Sequence, residues 1–156
     1  MIRAGHTVRV AVSPEAAFDV VGVHVYDNHP RWEPEVLEIK PLSHTPVALG
    51  SEAVMVRKDG RRVTETVYRV TAFEPGRRIA FEHDAPQMGF ALTLTIEPDG
   101  PGAATIRSDV RMQPRGAFRL VEPLMRLGAP RRTARITEQM GRVVEEVSRA
   151  GAPAQR

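Results

Sequence analysis

An α+β fold, with seven antiparallel strands curled around a long C-terminal helix and a short helix between strands 1 and 2, follows from three observations on this 156-residue sequence. Apolar and polar residues alternate with a period of two from about residue 36 to 112, interrupted only by short turns. From about residue 117 to 149 the period changes to 3.6. Ahead of both, a strand at 6–12 runs through Ser13-Pro14-Glu15 into an apolar helix carrying Phe18, Val20 and Val21, then past His29-Pro30-Arg31-Trp32-Glu33-Pro34 to the second strand. That order describes a sheet wrapped around a helix with space left between them.

Each element has a local cause. Ser13 is a good N-cap, Pro14 suits the first helical position because its absent N–H would be unpaired there, and Glu15 meets the positive helix end. The strands are read at 36–42, 51–58, 62–73, 78–84, 88–98 and 104–112, separated by Lys58-Asp59-Gly60, Glu74-Pro75-Gly76, Asp84-Ala85-Pro86 and Pro98-Asp99-Gly100-Pro101-Gly102. Connections this short hold no crossover helix, so the strands form an antiparallel meander. In the last element Ile136, Met140, Val143, Val144 and Val147 line one face, and Glu138/Arg142 and Glu145/Arg149 are spaced as i,i+4 ion pairs. Upstream, Phe118, Leu120, Val121, Leu124, Met125 and Leu127 make a broader apolar surface, and Gly128-Ala129-Pro130 should kink or break the helix. Residues 151–156 read as a frayed tail.

Composition narrows the class. The chain is long enough for one domain with a substantial core, and 42 % of it is apolar. No uncharged apolar run is long enough to span a membrane, and residues 1–6 lack the apolar region of a signal peptide, so a cytoplasmic location is the default expectation. There is no cysteine, hence no disulfide, thiolate nucleophile or cysteine zinc site. The sequence pI of about 9.9 hints at nucleic acid. Yet net charge is only +3, all but two of the 22 basic residues are Arg, and aromatics make up just 5 %, which argues against a polyanion partner. His24 and His29 stand at no common zinc spacing, so no metal is expected. Nor is there a G-x-S-x-G, a phosphate-binding G-x-x-x-x-G-K-[ST] or a G-x-G-x-x-G, and no nucleotide or nicotinamide cofactor is expected.

The chain resembles the START-like, helix-grip superfamily (the SRPBCC group), and in particular its polyketide cyclase/dehydrase-like branch. The residues that carry the resemblance are Val10-x-Val12-Ser13-Pro14-Glu15 with Phe18, Pro30-x-Trp32-x-Pro34, Leu49-Gly50-Ser51, Val70 before Phe73-Glu74-Pro75-Gly76, Ile79-x-Phe81, and the terminal helix. The resemblance implies a helix-grip fold: a seven-stranded antiparallel sheet wrapped around the long C-terminal helix, enclosing a hydrophobic pocket, with two small helices between strands 1 and 2 closing one end. It leaves the activity open, because the superfamily is similar in fold but includes aromatase/cyclases, lipid carriers, hormone receptors and chaperone cofactors.

Alternation then assigns the side chains that face the pocket. Phe81 on its strand, Phe90, Leu92, Leu94 and Ile96 on the next, and Ile106, Ser108, Val110 and Met112 on the last should point inward. So should Ala53, Met55 and Arg57, in the family-like register, and Thr64, Thr66, Tyr68 and Val70. From the helix, Leu124 and Met125 should complete a continuous cavity lined also by Phe81, Phe90, Leu92 and Met112. Arg57, in an apolar cup, either grips a ligand carboxylate or enolate or snorkels to solvent from the strand end; without a partner it would be a liability, and Arg57→Met would stabilise the empty protein. Tyr68 would donate a hydrogen bond. His83 is a general base or a rim histidine, and on a strand its neighbours Glu82 and Asp84 point away from it. Trp32 gates the mouth or caps the core. The methionines are ordinary filler or an adaptable pocket lining.

Two functions follow. One is cofactor-free cyclisation, dehydration or aromatisation of a polyketide-like chain held in a reactive conformer, with Arg57 and Tyr68 stabilising enolate charge. The other is a carrier or sensor that holds a hydrophobic ligand without turnover. A chaperone-type role is disfavoured because no exposed apolar surface is evident from the sequence.

Overall fold

The computed structural model describes residues 1–43 and 46–151; residues 152–156, the end of the tail read as frayed, lie outside it. β1 (Ile2–Val10) leads into α1 (Pro14–Phe18), a π-helical turn (Asp19–Val23) and α2 (Val25–Trp32). β2 (Val36–Pro41), β3 (Glu52–Asp59), β4 (Arg62–Glu74), β5 (Arg78–Ala85), β6 (Met88–Pro98) and β7 (Ala104–Pro114) follow, then a 3-10 turn (Gly116–Val121) and α3 (Glu122–Gly151). The strands form one seven-stranded antiparallel sheet in the order β1-β7-β6-β5-β4-β3-β2. The meander read from the short turns is therefore complete, and β1 closes onto the last strand. Ser13 caps α1 as expected, its Oγ accepting from the Ala16 N–H at 3.2 Å.

α3 lies against β1, β7 and α2. Gly141 permits the close approach to β1: a Cβ there would stand 3.1 Å from both Val8 methyl carbons. One further tie is polar. Thr137 Oγ1 donates to the Thr133 carbonyl at 2.7 Å and lies 2.9 Å from Ser108 Oγ on β7.

Three expectations for this region are corrected. α3 runs unbroken through Pro130. Proline there removes one helical hydrogen bond, but the turn is anchored on both sides, by buried Ala129 and by Arg132 bound to Glu33. The i,i+4 pairs are not made: Glu138 meets His6 Nε2 at 2.8 Å, and Glu145 accepts from the Ala11 N–H at 3.0 Å. Exposed helical pairs are worth only a few tenths of a kcal/mol, roughly 0.3–0.5, so tertiary partners win. Finally, Leu120, Leu124 and Leu127 are not covered; they are 85 %, 70 % and 75 % exposed.

The interior is graded from one end to the other. Where β1 ends and the β4–β5 and β6–β7 turns lie, inward residues are sealed: Val10, Val70, Ile79, Leu94, Ile96, Ala104 and Ile106 are buried in one cluster with Phe18 and Val144. Toward the β3–β4 and β5–β6 turns, the inward Thr64, Thr66, His83, Phe90, Leu92, Val110 and Met112 are only half-buried. The sheet is a cup, filled at its base and open at its mouth.

Candidate functional site

The strand registers place the expected inward set on one face. Phe81 pairs with Leu92, His83 with Phe90, and Phe90 in turn with Met112. Ala53 pairs with Tyr68, Met55 with Thr66, and Arg57 with Thr64. Tyr68 lies one position beyond the Arg69–Glu82 pair, which sets it beside His83.

Aromatic contacts join this face. Tyr68 is edge-on to Phe81 (ring centroids 5.5 Å apart) and to Tyr26 from α2 (6.2 Å), while His83 stacks on Phe90 at 5.1 Å with an interplanar angle of 10°. Edge-on and offset rings satisfy the aromatic quadrupole and hold the side chains in place. Tyr68 is 5 % exposed. Its hydroxyl, the Tyr26 hydroxyl and His83 Nδ1 are all buried without a hydrogen-bond partner. Burial, reinforced by the Tyr26 neighbour, pushes the Tyr68 pKa far up, so the phenol keeps its proton. Burial pushes Tyr26 the same way. His83 moves in the opposite direction: burial first, then the Arg57 cation, lower its pKa against the pull of Asp84 and favour the neutral imidazole.

A pH dependence follows. The unfolded chain protonates His83 near the ordinary 6.5, the folded protein only at lower pH. Between those values the unfolded state binds more protons, so stability falls as pH drops below 6.5 and levels off below the folded value. His83→Gln should flatten the Tm profile between about pH 7 and pH 5; an unchanged slope relative to wild type would rule this out.

Arg57 points inward, but it is already matched. Its Nη1 donates to Glu33 Oε1 at 2.8 Å, and its Nε and Nη2 reach Asp59 at 3.3 Å each. Glu33 also receives Arg132 Nη2 at 3.1 Å and stands 2.8 Å from His29 Nε2. Burial alone would raise the Glu33 carboxyl, but hydrogen bonding and charge from His29 and Arg57 outweigh it and hold the group well below the usual carboxylate range. Asp59 and Glu33 likewise overcome the effect of burial and raise Arg57. The liability expected of Arg57 is thus removed by an acid on the segment after α2, and Arg57→Met should destabilise the protein rather than stabilise it.

Three other expected ligand contacts are placed differently. Trp32 is buried in the core and stacked on His29 at 5.6 Å, so it caps the core and does not stand at the mouth. Ser108 is buried beneath α3 and engaged with Thr137. Met55 keeps its expected place, paired with the half-buried Thr66 and buried in the cluster that also holds Tyr68 and Phe81. Leu124 lies on the face of α3 turned away from the cup: at 3.6 residues per turn it is about half a turn from the buried Thr133, Thr137, Met140 and Val144. Met125 is half-buried, as are Thr66, Phe90, Leu92 and Met112, and Phe81 is buried beside Tyr68. Tyr26 and Glu33 were missed. The signal for Glu33 was available, since an inward Arg57 asks for an acid, and the only acid in Trp32-Glu33-Pro34 follows the lone tryptophan.

A groove of about 520 Å³ crosses the other face of the sheet. Its lining includes Glu52, Arg69, Glu82, Arg111 and Gln113, all outward by strand parity, and Tyr68, His83, Phe90 and Met112 of the inward set border it.

The comparisons agree with this architecture. The family model described as "Polyketide cyclase / dehydrase and lipid transport" matches residues 1–148, and the chain belongs to that family. Among solved structures it is similar to a START superfamily protein from Mycobacterium smegmatis (TM-score 0.73, 16 % identity, covering 95 % of this chain and 97 % of that one). It is also similar to the Zhui aromatase/cyclase of a Streptomyces species (TM-score 0.73, 14 % identity, 94 % and 93 % covered). A third is norcoclaurine synthase from Thalictrum flavum (TM-score 0.67, 14 % identity, 93 % and 84 % covered). At these identities the likeness is one of fold: the START helix-grip arrangement of sheet and long C-terminal helix. No curated protein matches the sequence.

Proposed function

We propose that this protein binds a largely apolar, aromatic small molecule carrying at least one hydrogen-bonding oxygen, in the cup between the sheet and α3. The observation that carries the reading is the Tyr68 hydroxyl and His83 Nδ1, both buried without partners, side by side where the interior changes from sealed to open. An unpartnered buried polar atom costs about 1–3 kcal/mol, and a ligand oxygen that meets it recovers that cost on binding. Phe90, Leu92, Val110 and Met112 supply the apolar wall, half-exposed until something covers them. Membership of a cyclase and lipid-transport family and likeness to an aromatase/cyclase fold support the reading.

2-Naphthol and naphthalene are suitable probes, differing by one hydroxyl. Wild type should prefer 2-naphthol, and Tyr68→Phe should lose roughly 0.5–1.5 kcal/mol of that preference. Because Tyr68→Phe also removes an orphaned group, the empty variant should be at least as stable as wild type. Equal affinity of wild type for the two probes would remove Tyr68 and His83 from the site and leave an apolar carrier.

A second reading is catalytic, and the neutral state of His83 favours it. His83 Nδ1 accepts an α-proton from a bound ketone, the C–H electron pair moves into the enolate, and the Tyr68 O–H donates a hydrogen bond to the enolate oxygen. The enolate carbon attacks a second carbonyl of the same chain, and the alkoxide formed takes the proton back from His83, giving a cyclic β-hydroxy ketone. Neutral His83 then removes the second α-proton and passes it to the departing hydroxyl, so that the C=C bond forms as the C–O bond breaks and water leaves. No cofactor enters this sequence. On this reading kcat/KM rises with pH through the lowered pKa of His83 and is flat above 6.5, and His83→Gln removes the ascending limb. Binding with no turnover of any poly-β-ketone substrate would leave the carrier.

A further inference from the structure

We infer that the outward face of the α3 entry segment is a docking surface for anionic lipid membranes, which brings the open mouth of the cup to the bilayer. Leu120, Leu124 and Leu127 follow i,i+4 and i,i+3 spacing, so they form one stripe along the 3-10 turn and the first turns of α3. All three are largely exposed, and Val121 beside them is 39 % exposed. A stripe of three leucines facing water on the side opposite the core is not explained by folding, because it adds nothing to the packing of α3.

Charge selects the occupant. From residue 115 to 135 the chain carries Arg115, Arg119, Arg126, Arg131, Arg132 and Arg135 against a single acid, Glu122. Arg131 continues the leucine stripe by one further turn. The β3–β4 turn at the same end of the sheet adds Lys58, Arg61 and Arg62. Lys58, Arg61, Arg62, Arg119 and Arg131 make no ion pair among the described residues. A symmetric contact between two copies would set this cationic surface against itself, so a second copy is disfavoured. Apolar side chains at the crest of a helix, rimmed by free arginines, match an interface with acyl chains at its surface and negative headgroups around them. The docking surface stands by itself; its use in loading or unloading the cup rests on the ligand-binding reading above.

The test is co-sedimentation of the intact protein with phosphatidylcholine vesicles containing about one-third phosphatidylglycerol, and with pure phosphatidylcholine vesicles, at low and moderate salt. Wild type should bind the anionic vesicles, bind neutral ones at least tenfold more weakly, and release as salt rises. Leu124→Asp/Leu127→Asp should lower anionic-vesicle binding at least tenfold with Tm unchanged, since both leucines are exposed. Arg119→Glu/Arg131→Glu should weaken binding and flatten its salt dependence. 2-Naphthol binding without lipid should be unchanged in both variants, which separates failure of the docking surface from failure of the cup. Equal binding of wild type and the Asp variant to anionic vesicles would overturn the inference. So would a wild-type dimer, seen by sedimentation, that the Asp variant converts to monomer while neither binds vesicles; the stripe would then belong to a second copy.

Discussion

Replacing Glu33 by Gln is expected to lower the unfolding free energy by about 3–5 kcal/mol, a fall in Tm of roughly 6–20 °C for a chain of this size. Glu33 is 8 % exposed and serves three partners at once: the Arg57 and Arg132 guanidiniums and the His29 ring. Removing its charge leaves Arg57, with a side chain only 18 % exposed, dependent on Asp59 at the strand end. It also loosens the link between the end of α2 and the middle of α3. Losing one of several donors is milder than losing the shared acceptor, so Arg57→Met should cost less than Glu33→Gln. The acid limb should change too. The Glu33 carboxyl sits below its ordinary 4.5 in the folded state, so its stabilisation is present above 4.5 and lost as pH falls through the folded value. Glu33→Gln should therefore show a shallower acid limb than wild type. Chemical denaturation at several pH values tests both points; a Glu33→Gln protein within about 0.5 kcal/mol of wild type at neutral pH would show the cluster to be incidental.

Phe18→Ala should cost a similar amount, about 3–5 kcal/mol, by opening a void at the sealed base of the cup. Phe18 is 2 % exposed, and its ring stands edge-on to Phe73 at 5.3 Å. Its seat is made by the π-helical turn, where Gly22 comes so close that a Cβ there would lie 2.8 Å from two ring carbons. Gly22→Ala should accordingly destabilise by about 1–3 kcal/mol through overpacking, despite the better helix propensity of alanine. The pair separates a lost contact from a lost space. Should Gly22→Ala prove neutral or stabilising in urea unfolding, the ring is not confined as described.

The sheet was legible because its period is short and its turns are marked. Gly60 and Gly76, at φ of 64° and 75°, occupy the left-handed positions that Asp59-Gly60 and Pro75-Gly76 announce. Inward parity on β3 to β7 was legible for the same reason. What could not be read was which face of each helix is covered, since that depends on where the sheet ends. Leu124 has the hydropathy of a core residue and lies on the face of α3 turned away from the sheet. Nor could the sequence report partners distant along the chain: Arg57 and Glu33 are 24 residues apart, and Glu138 and His6 are 132 apart. Local spacing predicts Glu138 with Arg142, and tertiary geometry overrides it. Tyr26 carries no such signal: it is a lone tyrosine between His24 and His29, where no alternation assigns a face.

The graded interior separates what the molecule must keep from what it can change. Side chains at the base each take part in a single close-packed cluster, so one altered methyl group is felt through the whole domain. Phe90, Leu92, Val110 and Met112 sit on the same strands, with backbones fixed by the same ladders, yet they remain half-open to solvent. Their identities contribute little to folding while setting the shape and polarity that an incoming molecule meets. Variation confined to these four positions would alter ligand preference at small cost in stability, so a single scaffold could be turned toward many small molecules by substitution at its rim.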